Sequence, residues 1–148
     1  MENSDWYDHV VAGIQYLKTA RKGKSRPEVF TNELIYNLVS LSVEKLLVGL
    51  SLHFGKMPPH HRLDSLVQWV DKLAPMDEDL VKNVMALDSY QDICSMDAFE
   101  RHTPNDMEIQ TMLEIAKKVE LFVKQCIEKR SSDVAKSRKY IHFAKTFV

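Results

Sequence analysis

Side chains able to do chemistry gather at a few places in the chain. Arg101-His102 stands in DAFERHTPND, directly ahead of a long helical pattern. An arginine there can meet a phosphate at the positive end of the helix; the plainer reading is an exposed loop pair bonded to a carbonyl. Glu33, Asn37, Ser40, Glu44 and Ser51 fall on one side of a helix at about 100° per residue. That row is either the wet edge of a large helix or a polar groove, within a bundle or at a subunit interface, offering hydrogen bonds to a ligand or partner. His60-His61 lies between prolines and a helix start. Adjacent histidines diverge, no histidine stands four residues on from either, and Asp64 is the nearest carboxylate, so a loop or capping role is expected in place of a metal site. Gly23-Lys24-Ser25 matches only the tail of a phosphate-binding loop. Lys18 stands where its first glycine is needed, and a helix precedes it where a strand should. No metal and no cofactor are expected.

The elements that must position these groups are helices. Phe30 to Phe54 is apolar almost throughout and contains no proline. Opposite its polar row lie Thr31, Ser42, Gly49 and His53, mostly small. One flank carries Leu34, Leu38, Leu41 and Leu52, the other Ile35, Val39, Val43, Leu46 and Leu50. Two apolar stripes imply cover from both sides, so the segment is expected to be the buried centre of the fold. Gly55 is a natural stop and Pro58-Pro59 prevents continuation.

Around it, Asp5 to about Ala20 reads as a first helix, with Trp6, Val10, Ile14 and Leu17 inward and Ser4 or Asp5 as cap. RKGKSRP ends it. Arg62 to Leu73 is a third helix with Leu63, Leu66, Val67, Val70 and Leu73 inward. A fourth follows the acidic Asp77-Glu78-Asp79, with Leu80, Val81, Val84, Met85 and Leu87 on its apolar side. Residues 88–103 lack periodicity. A last long helix starts at Thr103-Pro104, with Thr103 as cap, and runs to about Arg130. It holds Ile109, Met112, Leu113, Ala116, Val119, Val123, Cys126 and Ile127 inward. The expected fold is all-α: an up-and-down bundle of four to five helices around the second one. Residues 5–130 form the domain, and 131–148 form a basic extension, partly helical.

Composition sets bounds. A chain of 148 residues with 45% apolar residues can bury a core and is not a disordered chain. With only 4 glycines, an all-β fold with many tight turns is disfavoured. The net charge of −1 implies no bulk attraction to nucleic acid. Local basic runs exist, however. Lys18, Arg21, Lys22, Lys24 and Arg26 form one, and Lys136, Arg138, Lys139 and Lys145, against Asp133 alone, form another. Both read most simply as solvated loop and tail. Glu33, Asn37, Glu44 and Lys45 interrupt the longest apolar run, and MENSDWYDHV has no leader pattern. A cytoplasmic protein without a membrane span, with Cys94 and Cys126 as free thiols, is therefore expected.

Taken in order, these segments resemble a HEPN domain over about residues 5–130. The acidic-aromatic first helix is SDWYDHVVAGIQYL, and the Glu-Lys segment of the second helix is SVEKLLVGLSLHFG. The proline loop with histidine and the third helix are KMPPHHRLDSLVQWV. LDSYQ, ERHTPND and TMLEIAKKVELFVKQCIE supply the Asp-Tyr element, the arginine turn and the final helix. The resemblance implies a domain that commonly forms homodimers and associates with nucleotides or RNA. Such domains often sit beside a nucleotidyltransferase partner in prokaryotic toxin–antitoxin or defence systems. It places Glu44 and Lys45 at the Glu-Lys pair and Arg101 at the arginine of the turn, making Glu44, Lys45, Arg101 and His102 the candidate ligand-binding residues. His102 replaces the usual aromatic, and Thr103 displaces the proline by one. Some members are metal-independent ribonucleases marked by an arginine, four to six residues and a histidine. That pairing suits base catalysis at a 2′-hydroxyl and charge stabilisation of the phosphate. Here HTPNDME follows Arg101, and Arg138 to His142 is too short a spacing. The resemblance therefore implies a non-catalytic or weakly active module. The alternatives are a ribonuclease using Arg101 and His102, and a pure assembly module.

Overall fold

The computed structural model describes residues 4–90 and 103–134. Among them every element is helical: α1 (Ser4–Gly23), α2 (Asn32–His53), α3 (Leu63–Leu73), α4 (Glu78–Leu87), a short 3-10 turn (Asp88–Tyr90) and α5 (Asp106–Val134). Arg101, His102, Cys94 and the cations of the tail from Lys136 onward lie outside the described residues.

Local chemistry sets the limits of α2. The Thr31 hydroxyl accepts the Leu34 N–H at 3.2 Å, satisfying one of the free donors of the first turn. At the other end Gly55 takes φ +75°. Its N–H reaches the Leu52 carbonyl at 2.8 Å, and the Lys56 N–H reaches that of Ser51 at 3.0 Å. This pair of reversed bonds closes the last turn and needs a residue free to adopt a left-handed conformation.

α1 packs along the small-residue side of α2. A Cβ at Gly49 would lie 2.6 Å from Val10 Cγ2 and 3.0 Å from the Trp6 carbonyl oxygen, so the two backbones meet where no side chain fits. The Ser42 hydroxyl donates to the Gly13 carbonyl at 2.6 Å in the same seam. Trp6, Val10, Ile14 and Leu17 are all buried against α2. The small face opposite the polar row is thus a crossing point, and α1 and α2 run antiparallel.

Directions follow from the other contacts. Asn32 donates to Pro104 O and to Asp106 Oδ1, while Arg130 lies 4.5 Å over the Phe54 ring, so α5 runs alongside α2 in the same sense. Tyr36 at the start of α2 donates to Leu87 O at the end of α4, so α4 runs the opposite way. α1, α2, α4 and α5 alternate up and down. α3 is inserted: the connection at 54–62 carries the chain back to mid-α2, and α3 then runs with α2 until Trp69 Nε1 donates to Ser51 Oγ at 2.9 Å.

The flank Ile35, Val39, Val43, Leu46 and Leu50 is buried throughout. The leucine flank is only partly covered, Leu38 packing half-buried against the core. Leu52 is buried, but Leu34 is 39% and Leu41 37% exposed. Ser51 is buried too. Its hydroxyl donates to Lys56 O at 2.6 Å, so it leaves the polar row and fastens α2 to the loop and to Trp69.

Several boundaries differ from expectation. α1 continues to Gly23, three residues beyond Ala20, with Arg21 and Lys22 in its last turn, where cations suit the helix dipole. α5 begins at Asp106 and is capped by Asn105, not Thr103: Asn105 Oδ1 accepts the Glu108 N–H at 2.8 Å and Glu108 Oε1 accepts the Asn105 N–H at 3.0 Å. This reciprocal box outweighs the Thr-Pro signal. Met85 is 37% exposed, because the buried side of α4 is only Leu80, Val84 and Leu87. By mean hydropathy over its length, as opposed to uninterrupted runs, α2 is long and apolar enough to cross a membrane, which the interruption count did not anticipate. In the fold, 67% of that window is buried among the other helices, as a central helix requires.

Candidate functional site

The polar row of α2 opens onto a cleft of about 260 Å³. Asn37, Ser40, Leu41 and Glu44 form one wall; His61, Arg62 and Leu63 from the α2–α3 connection, with Asp88 from the 3-10 turn, form the other. Of the two readings of the row, the groove is the one the fold produces, over the stretch from Asn37 to Glu44.

Each wall has a local cause. The Pro58-Pro59 segment returns the chain across α2, bringing His61 Nδ1 to 3.3 Å from Glu44 Oε2. His61 is thus a loop residue, and it faces a carboxylate. Asp88 Oδ2 accepts the Asp64 N–H at 2.7 Å, tying the 3-10 turn to the first turn of α3, whose own cap position, Arg62, makes no side-chain cap bond. Arg62 sends its guanidinium to Asp64 through two parallel contacts of 3.3 Å each. That guanidinium holds the Asp64 carboxyl below the usual carboxylate range. Burial pushes the Asp88 carboxyl the other way, up, more strongly than its bond to Asp64 N–H pulls it down.

Ser40 is the residue the fold leaves unfinished. It is 7% exposed, and its hydroxyl oxygen is buried with no hydrogen-bond partner among the described residues. Buried hydroxyls are ordinarily paired, and one left without a partner costs about 1–3 kcal/mol.

Of the residues expected to form a site, Glu44 lines the cleft. Lys45, next along the helix and half-buried, points elsewhere and is not part of it. Arg101 and His102 lie outside the described residues. Arg62 was not singled out from the sequence, and Asp88 entered only as the acid of the Asp-Tyr element, not as a site residue. Asp88 carried one signal, an acid directly after the last periodic residue of α4, where a carboxylate is free to cap a neighbouring helix. Among the described residues no three of His, Cys, Asp and Glu stand close enough to hold a metal.

A larger cavity of about 540 Å³ lies between α4 and α5, with Leu87, Tyr90, Met107, Met112 and Ile115 in its walls. Its carboxylate, Glu108, is already engaged by the Asn105 N–H and by the Tyr90 hydroxyl. Burial, then the hydrogen bond to Glu108, push the Tyr90 phenol up to about 12. Its polar groups hold the start of α5 in place, whereas the α2 cleft keeps unsatisfied ones. Compared with known proteins, the chain matches no family model, no curated protein and no solved structure.

Proposed function

We propose that the chain is a HEPN-type helical module of a prokaryotic toxin–antitoxin or defence type system, non-catalytic or weakly active. It works as a homodimer that associates with a nucleotidyltransferase partner or a nucleotide. The observation that carries this reading is the meeting of Glu44, His61 and Asp88 in one cleft. They come from three of the separate segments on which the resemblance rests: the Glu-Lys segment, the proline loop with histidine, and the Asp-Tyr element.

Association is favoured over turnover by what the described residues offer. The cleft couples a carboxylate to an imidazole, but its cation, Arg62, is engaged by Asp64, so no free positive charge awaits a scissile phosphate. Leu34 and Leu41, two turns apart on α2, stay open beside it and supply apolar ground for a second copy. Between the two classes of partner, the same charge balance favours a protein over a nucleotide.

Two assays test the reading. RNA incubated with the protein in EDTA should stay intact; cleavage abolished by His102→Ala would replace the module with a ribonuclease. Thermal shift with a panel of nucleotides divides the partner classes. A shift lost in Arg101→Ala favours the nucleotide, and no shift with any of them favours the protein partner.

A further inference from the structure

We propose that the cleft between Asn37, Ser40 and Glu44 on α2 and His61 and Asp88 opposite is a receptor for a single arginine side chain presented by a partner polypeptide. The inference rests on the reading of the chain as a protein-association module and names the chemistry of that contact.

Charge decides the sign of the guest. Among the described residues the cleft holds Glu44 and Asp88, and its fixed cation, Arg62, is matched by Asp64. A phosphate placed here would face two carboxylates at close range and meet no uncommitted guanidinium. A cation would be attracted by both. Asp88 is 5% exposed, and among the described residues its one N–H donor is that of Asp64, on Oδ2. A carboxylate buried with so little compensation gains from a cation brought beside it.

Hydrogen bonding decides its shape. Glu44 has one carboxylate oxygen 3.3 Å from His61 Nδ1, and the other has no partner among the described residues. Ser40 lines the same cleft, and its buried hydroxyl oxygen has no partner among the described residues. The Asn37 side chain, exposed at the rim, adds an amide oxygen. Several acceptors border one cleft, and a planar fork of five donors can meet such a set better than a compact ammonium. The cleft, about 260 Å³, lies just below the range of about 300–1,000 Å³ usual for pockets that bury drug-sized ligands, and a single side chain fits it.

The test titrates the full-length ¹⁵N-labelled protein with N-acetyl-arginine amide. Its lysine and citrulline counterparts are run alongside, with AMP as the anionic comparison. The arginine compound should move the backbone signals of Ser40, Glu44 and His61 at millimolar concentration. The citrulline compound, of the same shape without the charge, should bind about tenfold more weakly, as should arginine to Glu44→Gln. Glu44 is half-buried and Gln has nearly its shape, so that variant should fold, and an unchanged spectrum elsewhere verifies it. Ser40→Ala should weaken the arginine compound and leave lysine nearly unaffected. The proposal is overturned if citrulline equals arginine, if AMP moves the same signals and arginine does not, or if no compound moves them. An intact dimer in any of those cases leaves the proposed function standing. RNA cleavage in EDTA by a protein that still binds arginine would remove that function and leave this site.

Discussion

Acidification should weaken this fold through His53 before it reaches the carboxylates. His53 ends the small face of α2, 5% exposed, edge-on to Trp6 at 4.7 Å and to Phe54 at 6.0 Å. Burial, with the Arg130 charge second, lowers its imidazole from 6.5 to about 4. The unfolded chain therefore takes up a proton near pH 6.5, and the folded chain only near pH 4. Between those values the unfolded state binds more protons, so stability falls as pH falls. Going from about pH 7.5 to about pH 5, the linkage amounts to about 2 kcal/mol. Urea unfolding followed by far-UV circular dichroism at several pH values measures it. His53→Leu changes stability at neutral pH by some amount of its own, but its loss on acidification should be about 2 kcal/mol smaller than that of the wild type. Equal losses in the two proteins would mean that His53 is protonated in the folded state, and the burial argument would fail.

Further outcomes follow from the packing. Gly49→Ala should destabilise by about 1–3 kcal/mol despite its better helix propensity, because the new methyl meets Val10 and the Trp6 carbonyl; chemical denaturation reads it. Gly55→Ala should cost about 1–2 kcal/mol, since φ +75° is left-handed, whereas nothing lies within 4 Å to clash with the methyl; Gly55→Asn should recover part of the loss. Tyr36→Phe should cost about 1 kcal/mol by removing the 2.7 Å bond to Leu87 O, and amide exchange at the end of α4 should accelerate with it. Cys126 should label slowly with a thiol reagent in the native protein and fast in urea, because burial pushes its thiol up.

The helices were legible because their signals are local. The stripes Trp6-Val10-Ile14-Leu17 and Leu63-Leu66-Val67-Val70 repeat at the helical period, and Gly55 and Asp77 mark ends by their own chemistry. Helix starts were less legible where two cap signals compete. Thr103-Pro104 and Asn105-Asp106 both qualify, and only the return bond from Glu108 selects Asn105. The two-sided cover of α2 was legible for the isoleucine–valine flank, but not for Leu34 and Leu41. Whether a neighbour reaches that far depends on where the other helices lie, and periodicity carries no such information. The cleft was half legible. Asn37, Ser40 and Glu44 share a helix face by arithmetic alone. The opposing wall depends on the return of 54–62 and on Asp88 reaching across 24 positions in sequence to cap α3, and neither leaves a mark at short range.

Sedimentation velocity on the full chain over a range of concentrations puts the association account to its most direct trial. The wild type should sediment as a dimer, and Leu34→Ser with Leu41→Ser should sediment as a monomer of unchanged helicity. A wild type that stays monomeric at every concentration, or a double variant that dimerises as before, would contradict the account.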